Sequence, residues 1–302
     1  MQEARIDILF PDHFSDYELI DCGGFEKLER FGRFITRRPE PKAIWAPSMP
    51  EGEWQQLAHA TFRHATGAKS NPDERGTWSV KAGMPDRWPV SYRHSGLDMQ
   101  LRCALTSFKH VGIFPEQAAQ WDFIYAACRK LPRREAKVLN LFAYTGGASL
   151  AARAAGADVT HLDAIRQTVS WANENMQASG LDGIRWIVDD ALKYVQRQQR
   201  RGARYSGIIL DPPAYGRGPD GERWLLSEGL PELMRGVAGM LEGKGAFVVL
   251  NLYALGFSSV VCDTLVATTF GRPAQRESGE LAVRDRFGKQ LPLSVFTRFY
   301  RG

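Results

Sequence analysis

Ser206-Gly207-Ile208-Ile209-Leu210-Asp211-Pro212-Pro213-Ala214-Tyr215 is the stretch that decides the reading of this chain. Its first half is short, continuous and β-branched, the pattern of a strand buried on both faces. An acid and two prolines then end it, because a proline has no N–H to give a ladder. The fixed φ of Pro212 and Pro213 makes the segment stiff and extended. It holds carbonyl oxygens and one carboxylate at the carboxyl end of a strand, the edge at which open α/β sheets bind ligands. Acceptors held there suit a substrate amino group, and Tyr215 suits a flat ring. A strand cap followed by a rigid turn would also account for the pentapeptide, so its companions upstream carry the decision.

Those companions alternate in type. Ala118 to Lys130 reads as a helix ending before Pro132, and Val138 to Phe142 as a strand. A helix over Ser149 to Ala155 stops at Gly156. Val159 to Leu162 is a strand, followed by a helix from Arg166 to Ser179. Ile184 to Val188 and Leu192 to Arg201 repeat the pair, before the strand at Ile208. Leu225 to Leu241 reads as mostly helical, Phe247 to Leu252 as a strand and Ser258 to Thr268 as a helix. Glu280 to Arg284 and Leu293 to Tyr300 read as two strands around a turn at Phe287-Gly288-Lys289. Alternating β and α implies a mostly parallel sheet with helices on both faces. Residues 1–110 differ in texture, with short apolar runs broken by Pro39, Pro41, Pro47 and Pro50. Asn71-Pro72-Asp73-Glu74-Arg75-Gly76 is a turn cluster. Trp78-Ser79-Val80 and Leu97 to Leu101 alternate like half-buried strands, and Trp54 to His64 reads as a short helix. The expected organisation is a small α+β unit over 1–110, possible carrier of the substrate, and an α/β unit over 111–302.

Successive strand ends carry ligand chemistry. The first leads into Ala143-Tyr144-Thr145-Gly146-Gly147-Ala148-Ser149 and then a helix. Glycine in such a turn allows positive φ and close backbone approach by a ligand. No Gly-Lys-Ser/Thr follows, and Gly146 and Gly147 are adjacent, so neither a nucleotide P-loop nor a G-x-G-x-x-G dinucleotide turn is present. The second strand ends in Asp163, which suits the two ribose hydroxyls of an adenosine cofactor. The third ends in Asp189-Asp190-Ala191, which suits an adenine amino group. Helix capping explains either acid alone. One glycine-rich and two acidic strand ends, followed by the proline-capped fourth, describe a pocket for S-adenosylmethionine with an acceptor site beside it.

Bulk properties bound the rest. Of 302 residues, 44% are hydrophobic and 24% charged, ordinary for a soluble globular protein. No apolar run is long enough to span a bilayer, and Met1 to Asp7 lacks a signal-peptide pattern. The four scattered cysteines form no C-x-x-C, and the histidines have no metal-ligand spacing, so no metal is assigned and a cytoplasmic location is expected. A formal charge of +5 weakly favours a polyanionic partner.

Leu139-Asn140-Leu141-Phe142-Ala143-Tyr144-Thr145-Gly146-Gly147, Asp189-Asp190-Ala191 and Asp211-Pro212-Pro213-Ala214-Tyr215-Gly216-Arg217-Gly218 resemble the class I S-adenosylmethionine-dependent methyltransferases. The chain is similar to the branch that contains large-subunit ribosomal RNA methyltransferases of the cytosine carbon 5 and guanine nitrogen 7 types. Within it the chain resembles a set of little-characterised bacterial members. Phe108 to Gln117 looks like the branch's segment that lies against the cofactor. The resemblance covers roughly 105–302, and the branch's usual N-terminal RNA-binding module is not evident. It implies a Rossmann-like α/β fold with a seven-stranded, mostly parallel sheet. It implies cofactor contacts from Phe114, Gln117, Asn140, Phe142, Ala143, Tyr144, Thr145, Gly146, Gly147, Asp163, Ala164, Asp189, Asp190, Ala191 and Asp211. Asp211, Pro212, Pro213 and Tyr215 are then the catalytic segment, and RNA the expected partner.

Carbon 5 of cytosine is a poor nucleophile, and enzymes that methylate it first add a cysteine thiolate to the ring. The family's cysteine positions read Asp211 to Tyr215 and Leu250-Asn251-Leu252-Tyr253 here, with no thiol; Cys262 falls in a helix. A nitrogen acceptor has its own lone pair and needs orientation instead. The expected activity is therefore methylation of a nitrogen of an RNA base. The alternatives are a protein or small-molecule nitrogen acceptor, or a cofactor-binding RNA-interaction protein without catalysis. Lys193, Arg197, Arg200, Arg201 and Arg204 share a helix face, Arg129, Lys130, Arg133 and Arg134 cluster, and Arg217 sits between Gly216 and Gly218 in a loop expected to be mobile. Either a polyanion footprint or solvated helix faces would explain the two clusters.

Overall fold

The computed structural model describes residues 6–64, 75–131, 136–253, 256–271, 273 and 276–302. Strands β1 (Ile6–Leu9), β2 (Tyr17–Gly23), β3 (Glu26–Phe31) and β4 (Phe34–Pro39) open the chain. Helix α1 (Glu51–Leu57), β5 (Ala60–His64), β6 (Gly76–Val80), β7 (Arg87–His94) and β8 (Leu97–Ala104) follow. A 3-10 turn over Pro115–Gln117 leads into α2 (Ala118–Lys130). Then come β9 (Lys137–Leu141), α3 (Gly147–Ala154), β10 (Asp158–Asp163), α4 (Arg166–Ala178), β11 (Arg185–Val188), α5 (Ala191–Arg200) and β12 (Gly207–Leu210). The chain ends with β13 (Tyr215–Arg217), β14 (Arg223–Leu225), α6 (Leu226–Ala238), β15 (Ala246–Leu252), α7 (Ser259–Phe270), β16 (Arg276–Arg284) and β17 (Gln290–Arg301).

The main sheet has the order β1-β16-β17-β15-β12-β9-β10-β11, with β17 alone antiparallel to its neighbours. Its centre is buried on both faces, as the apolar run at β12 implied. Ile209, Val138 and Val249 enter one core with Leu150 of α3 and Ile124 of α2. Ile208, Leu210 and Leu139 enter the other with Val195 of α5, Leu233 of α6 and Val266 of α7. Each such fully buried side chain contributes about 1.5–3 kcal/mol.

Seven of these strands are the expected ones. The eighth, β1, pairs in parallel with β16 along Ile6 to Leu9. Gly279 permits it, since a Cβ there would lie 1.7 Å from the Asp7 carbonyl oxygen. The described residues of this N-terminal span therefore also pack against the remainder of the chain. Phe14 and Tyr92 meet Trp121 of α2 at ring centroid distances of 5.8 and 5.3 Å, and Arg38 donates to the Lys109 carbonyl at 3.0 Å.

The expected helix from Trp54 to His64 is shorter and earlier than the sequence suggested. Glu51–Leu57 is helical, but Ala60 to His64 is a strand paired with β6. Ala60 and Phe62 point inward and Thr61 is only partly buried, a period of two that the short helix pattern concealed. Residues 71–74 of the expected turn cluster, and Arg133 and Arg134 of the second basic cluster, lie outside the described residues. No described helix is long and apolar enough to cross a membrane.

Candidate active site

The carboxyl ends of β9 and β12 open onto a cleft. Phe114, Gln117, Asn140, Phe142, Ala143, Tyr144, Thr145, Gly146, Gly147 and Asp211 all line it, so the expected cofactor segments converge. Leu101, Trp121, Ile124 and Asn251 also line it and were not foreseen.

The β9–α3 loop is held in a costly conformation. Phe142 and Tyr144 have φ of 56° and 47°, and Gly146 has φ of 91°. Non-glycine residues with positive φ cost on the order of 1–3 kcal/mol and concentrate at ligand sites. Asp163 is what holds the loop. Its carboxylate accepts the Tyr144 N–H at 2.9 Å, the Ile165 N–H at 2.9 Å and the Thr168 hydroxyl at 3.0 Å. Burial nevertheless raises its pKa above the usual carboxylate value. Asp163 and Ala164 do not line the cleft itself; Asp163 clamps the loop from behind. Thr145 is pinned by its hydroxyl donating to the Gly112 carbonyl at 2.6 Å, and its own carbonyl accepts from Asn175 at 2.9 Å.

The third strand end is engaged in the same way. Asp190 caps α5 by accepting the Lys193 N–H at 2.9 Å, with Ala191 the first helical residue. Asp189 is ion-paired with Arg197. Neither acid lines the cleft.

The fourth strand end differs. Asp211 Oδ2 accepts from Gln117 Nε2 at 3.3 Å, whereas its Oδ1 is buried with no hydrogen-bond partner. Burial, and then the neighbouring Glu116, hold the Asp211 carboxyl well above the usual carboxylate range. Glu116 is only 1% exposed; its Oε1 accepts the Tyr253 hydroxyl at 3.0 Å and its Oε2 has no hydrogen-bond partner. Burial raises Glu116 as well, against the pull of Lys27. Tyr253 in turn accepts from Gln117 Nε2 at 2.8 Å. Phe114 packs between Tyr144 and Tyr253, both at 5.4 Å between ring centroids. An unpaired buried acceptor costs about 1–3 kcal/mol and asks for a donor from a ligand.

Pro212 is buried, and the Pro213 carbonyl accepts from Trp224 Nε1 at 2.7 Å. That bond anchors the β13–β14 hairpin, which carries Tyr215 with 41% of its surface exposed. Arg217 lies in the same paired hairpin rather than in a mobile loop, because Tyr215 to Arg217 find ladder partners in Arg223 to Leu225. All four cysteines are buried. Burial pushes Cys262 and Cys128 up to about 12 and Cys22 up to about 11, and raises Cys103 further still. None lines the cleft.

The residues present fit S-adenosylmethionine: a strained loop shapes an apolar, aromatic cleft, and an orphaned acceptor lies at its floor. Comparison with known proteins agrees. The chain is similar over 99% of its length to a crystal structure of a SAM-dependent methyltransferase from Agrobacterium tumefaciens, covering 96% of that chain at 37% identity with a TM-score of 0.88. It is 31% identical over 154 residues to the ribosomal RNA large subunit methyltransferase K/L of Shewanella frigidimarina, covering 49% of this chain and 20% of that protein. It is 32% identical over 82 residues to the ribosomal RNA large subunit methyltransferase I of Klebsiella pneumoniae, covering 26% of this chain and 20% of that protein. The chain thus spans about a fifth of the length of these curated relatives. A sequence model of S-adenosylmethionine-dependent methyltransferases matches residues 69–268. With that match and the Agrobacterium likeness over nearly its whole length, the chain belongs to the S-adenosylmethionine-dependent methyltransferase family.

Proposed function

We propose that this protein methylates a nitrogen of an RNA base, in the cytoplasm, with Asp211 as the group that orients the acceptor. The observation that carries the reading is the unpartnered, buried Oδ1 of Asp211 at the carboxyl end of β12, in a cleft without a thiol. S-Adenosylmethionine, when bound, supplies an electrophilic methyl carbon. Phe114, Phe142, Tyr144 and the Gly146-Gly147 turn would hold it, with the Asp163 clamp keeping the loop in place. Asp163 and Asp190 remain our candidates for its ribose and adenine, through lone pairs their present hydrogen bonds leave over.

Asp211 Oδ1 accepts an N–H from the acceptor amino group and so aims the nitrogen lone pair at the methyl carbon. Methylation makes that N–H acidic. A carboxylate raised in pKa by burial is basic enough to take the proton. Tyr215, exposed on its anchored hairpin, stacks on an unpaired base. Carbon methylation through an enzyme thiol is disfavoured, because no cysteine reaches the cleft and each is held protonated by burial.

RNA as the substrate rests on the names of the partial relatives. A protein or small-molecule nitrogen acceptor is favoured by one observation: Lys193 and Arg197 of the basic helix are ion-paired to Glu222 and Asp189. Methyl-labelled S-adenosylmethionine incubated with separate bacterial RNA, DNA, protein and metabolite fractions discriminates the readings. Label in RNA recovered as an N-methylated nucleoside supports ours. Label confined to protein or metabolites, or a carbon-methylated pyrimidine, overturns it.

A further inference from the structure

A continuous chain of buried side-chain amides runs from β17 to the cleft floor. Arg298 Nη1 donates to Gln120 Oε1 at 3.1 Å. Gln120 Nε2 donates to Asn251 Oδ1 at 3.0 Å, and Asn251 Nδ2 donates to Gln117 Oε1 at 3.1 Å. Gln117 Nε2 then donates to Asp211 Oδ2 at 3.3 Å. Gln120, Asn251 and Gln117 are at most 8% exposed, so the chain is largely shielded from solvent. We propose that Arg298 acts through this one-way relay as a positioning residue for Asp211, turning one carboxylate oxygen toward Gln117 and leaving the other for the methyl acceptor.

The direction follows from donor and acceptor inventory. A side-chain amide can flip end for end, and a run of amides alone would have two equivalent polarities. A guanidinium has hydrogens only to give. Arg298 therefore forces the oxygen of Gln120 toward itself, and each later amide is forced in turn to present oxygen backward and nitrogen forward. Arg298 is itself immobilised. Glu277 accepts from its Nε at 2.8 Å, the Ala119 carbonyl from its Nη1 at 3.0 Å, and its guanidinium lies 4.6 Å from the Phe123 ring centroid. The far end delivers an N–H to Asp211, which a reversed chain would replace with an oxygen. Asp211 faces two other titratable groups, Glu116 and Tyr253; the Tyr253 hydroxyl, which accepts from the same Gln117 Nε2 at 2.8 Å and donates to Glu116 Oε1 at 3.0 Å, would also meet an oxygen if the chain reversed, so reversal removes a donor from Tyr253 and Asp211 together.

The catalytic meaning of the relay rests on the proposed function, but its direction is testable without a substrate. Gln120 is three hydrogen bonds away from Asp211 and does not line the cleft. Gln120→Glu keeps the shape and strengthens the pairing with Arg298, but a carboxylate cannot donate to Asn251, so the chain reverses and Gln117 turns its oxygen on Asp211. Gln120→Met only releases the chain. The readout is the titration of the Asp211 carboxyl by carbon-13 NMR, assigned by its loss in Asp211→Asn, with S-adenosylhomocysteine affinity measured in parallel. An oxygen facing a carboxylate favours the protonated form. The midpoint should rise by about one unit or more in Gln120→Glu, and by less in Gln120→Met, with S-adenosylhomocysteine affinity within a few-fold. A purely packing role predicts the opposite order, with the methionine variant the worse. An unchanged midpoint in Gln120→Glu, or a larger change in Gln120→Met, overturns the relay. Should Gln120→Glu fail to fold, Arg298→Lys and Arg298→Met decide. Lysine keeps a donor and should preserve the midpoint, methionine should raise it, and equal midpoints overturn the proposal. Methyl transfer that proves absent in the parent protein would sink the proposed function while leaving this titration to stand or fall by itself.

Discussion

Asp211→Asn is expected to stabilise the fold while it ends turnover. The native state holds Asp211 buried, beside Glu116, with one oxygen unpaired. Its folded-state pKa is raised, so between the usual carboxylate range and that raised value the native protein binds more protons than the unfolded chain. Stability contributed by the protonated group is complete below the unfolded pKa and is lost as pH rises through the folded one. Asparagine removes the charge and keeps an oxygen for Gln117 Nε2, the bond now made at 3.3 Å. The relief should be about 1–3 kcal/mol, because a neutral amide ends the desolvation cost of the charge and its repulsion by Glu116, although its NH2 now lies where the unpaired Oδ1 did. For a chain of this size that is a rise in Tm of roughly 2–5 °C at about pH 8. Near pH 4, where the carboxyl approaches neutrality in both states, the gap should close. Scanning calorimetry of both proteins between those limits measures it. A lower Tm for the variant at high pH, or a difference that ignores pH, would refute the reasoning. A residue that weakens the fold and is kept for chemistry is the expected signature of a functional site.

Three further outcomes follow from the geometry. Asp163→Ala removes three accepted hydrogen bonds and frees a loop with two non-glycine residues at positive φ, so it should lower Tm and weaken S-adenosylmethionine binding by about 1.5–3 kcal/mol together; calorimetry showing unchanged affinity would contradict the clamp. Tyr215→Ala should weaken binding of an RNA substrate by about 1–3 kcal/mol with Tyr215→Phe mild, because stacking needs the ring; equal losses in both would assign the work to the hydroxyl instead. Cys262→Ser should retain methyl transfer in proportion to its folded fraction, and a covalent adduct with fluoropyrimidine RNA that disappears in this variant would show the reverse.

The catalytic half was legible because its signals are local. β12 and its proline stop, the glycine turn after β9 and the helices of the α/β repeat stand within a few residues of where the sequence put them, since each is an apolar run ended by a breaker. The N-terminal sheet was harder to read. In β3, Glu29 is fully buried, accepting from Tyr17 at 2.9 Å and from Arg38 at 2.5 Å, so a core strand reads as polar. β1 is four residues long and takes its meaning from Gly279, some 270 residues away. The cleft floor was partly visible. Asp211 announces itself, whereas Glu116 and Tyr253 matter only through their contacts with it. Gln117 and Gln120 on the same stripe as Trp121 and Ile124 were the one readable sign of the relay, two amides at helical spacing on an otherwise apolar face. The roles of Asp163, Asp189 and Asp190 were ambiguous in sequence because capping and ligand binding ask for the same residue type at the same place.

The central claim is that Asp211 faces the methyl acceptor and not the cofactor. Single-turnover methylation of the RNA fraction that accepts label, compared between the parent protein and Asp211→Ala with S-adenosylhomocysteine affinity measured alongside, tests it most directly. The account predicts a rate lower by about 10²-fold or more with cofactor affinity within a few-fold, since an interaction made only with the reacting group loses rate without losing cofactor binding. Normal turnover by Asp211→Ala, or a loss explained entirely by failure to bind S-adenosylhomocysteine, would contradict it.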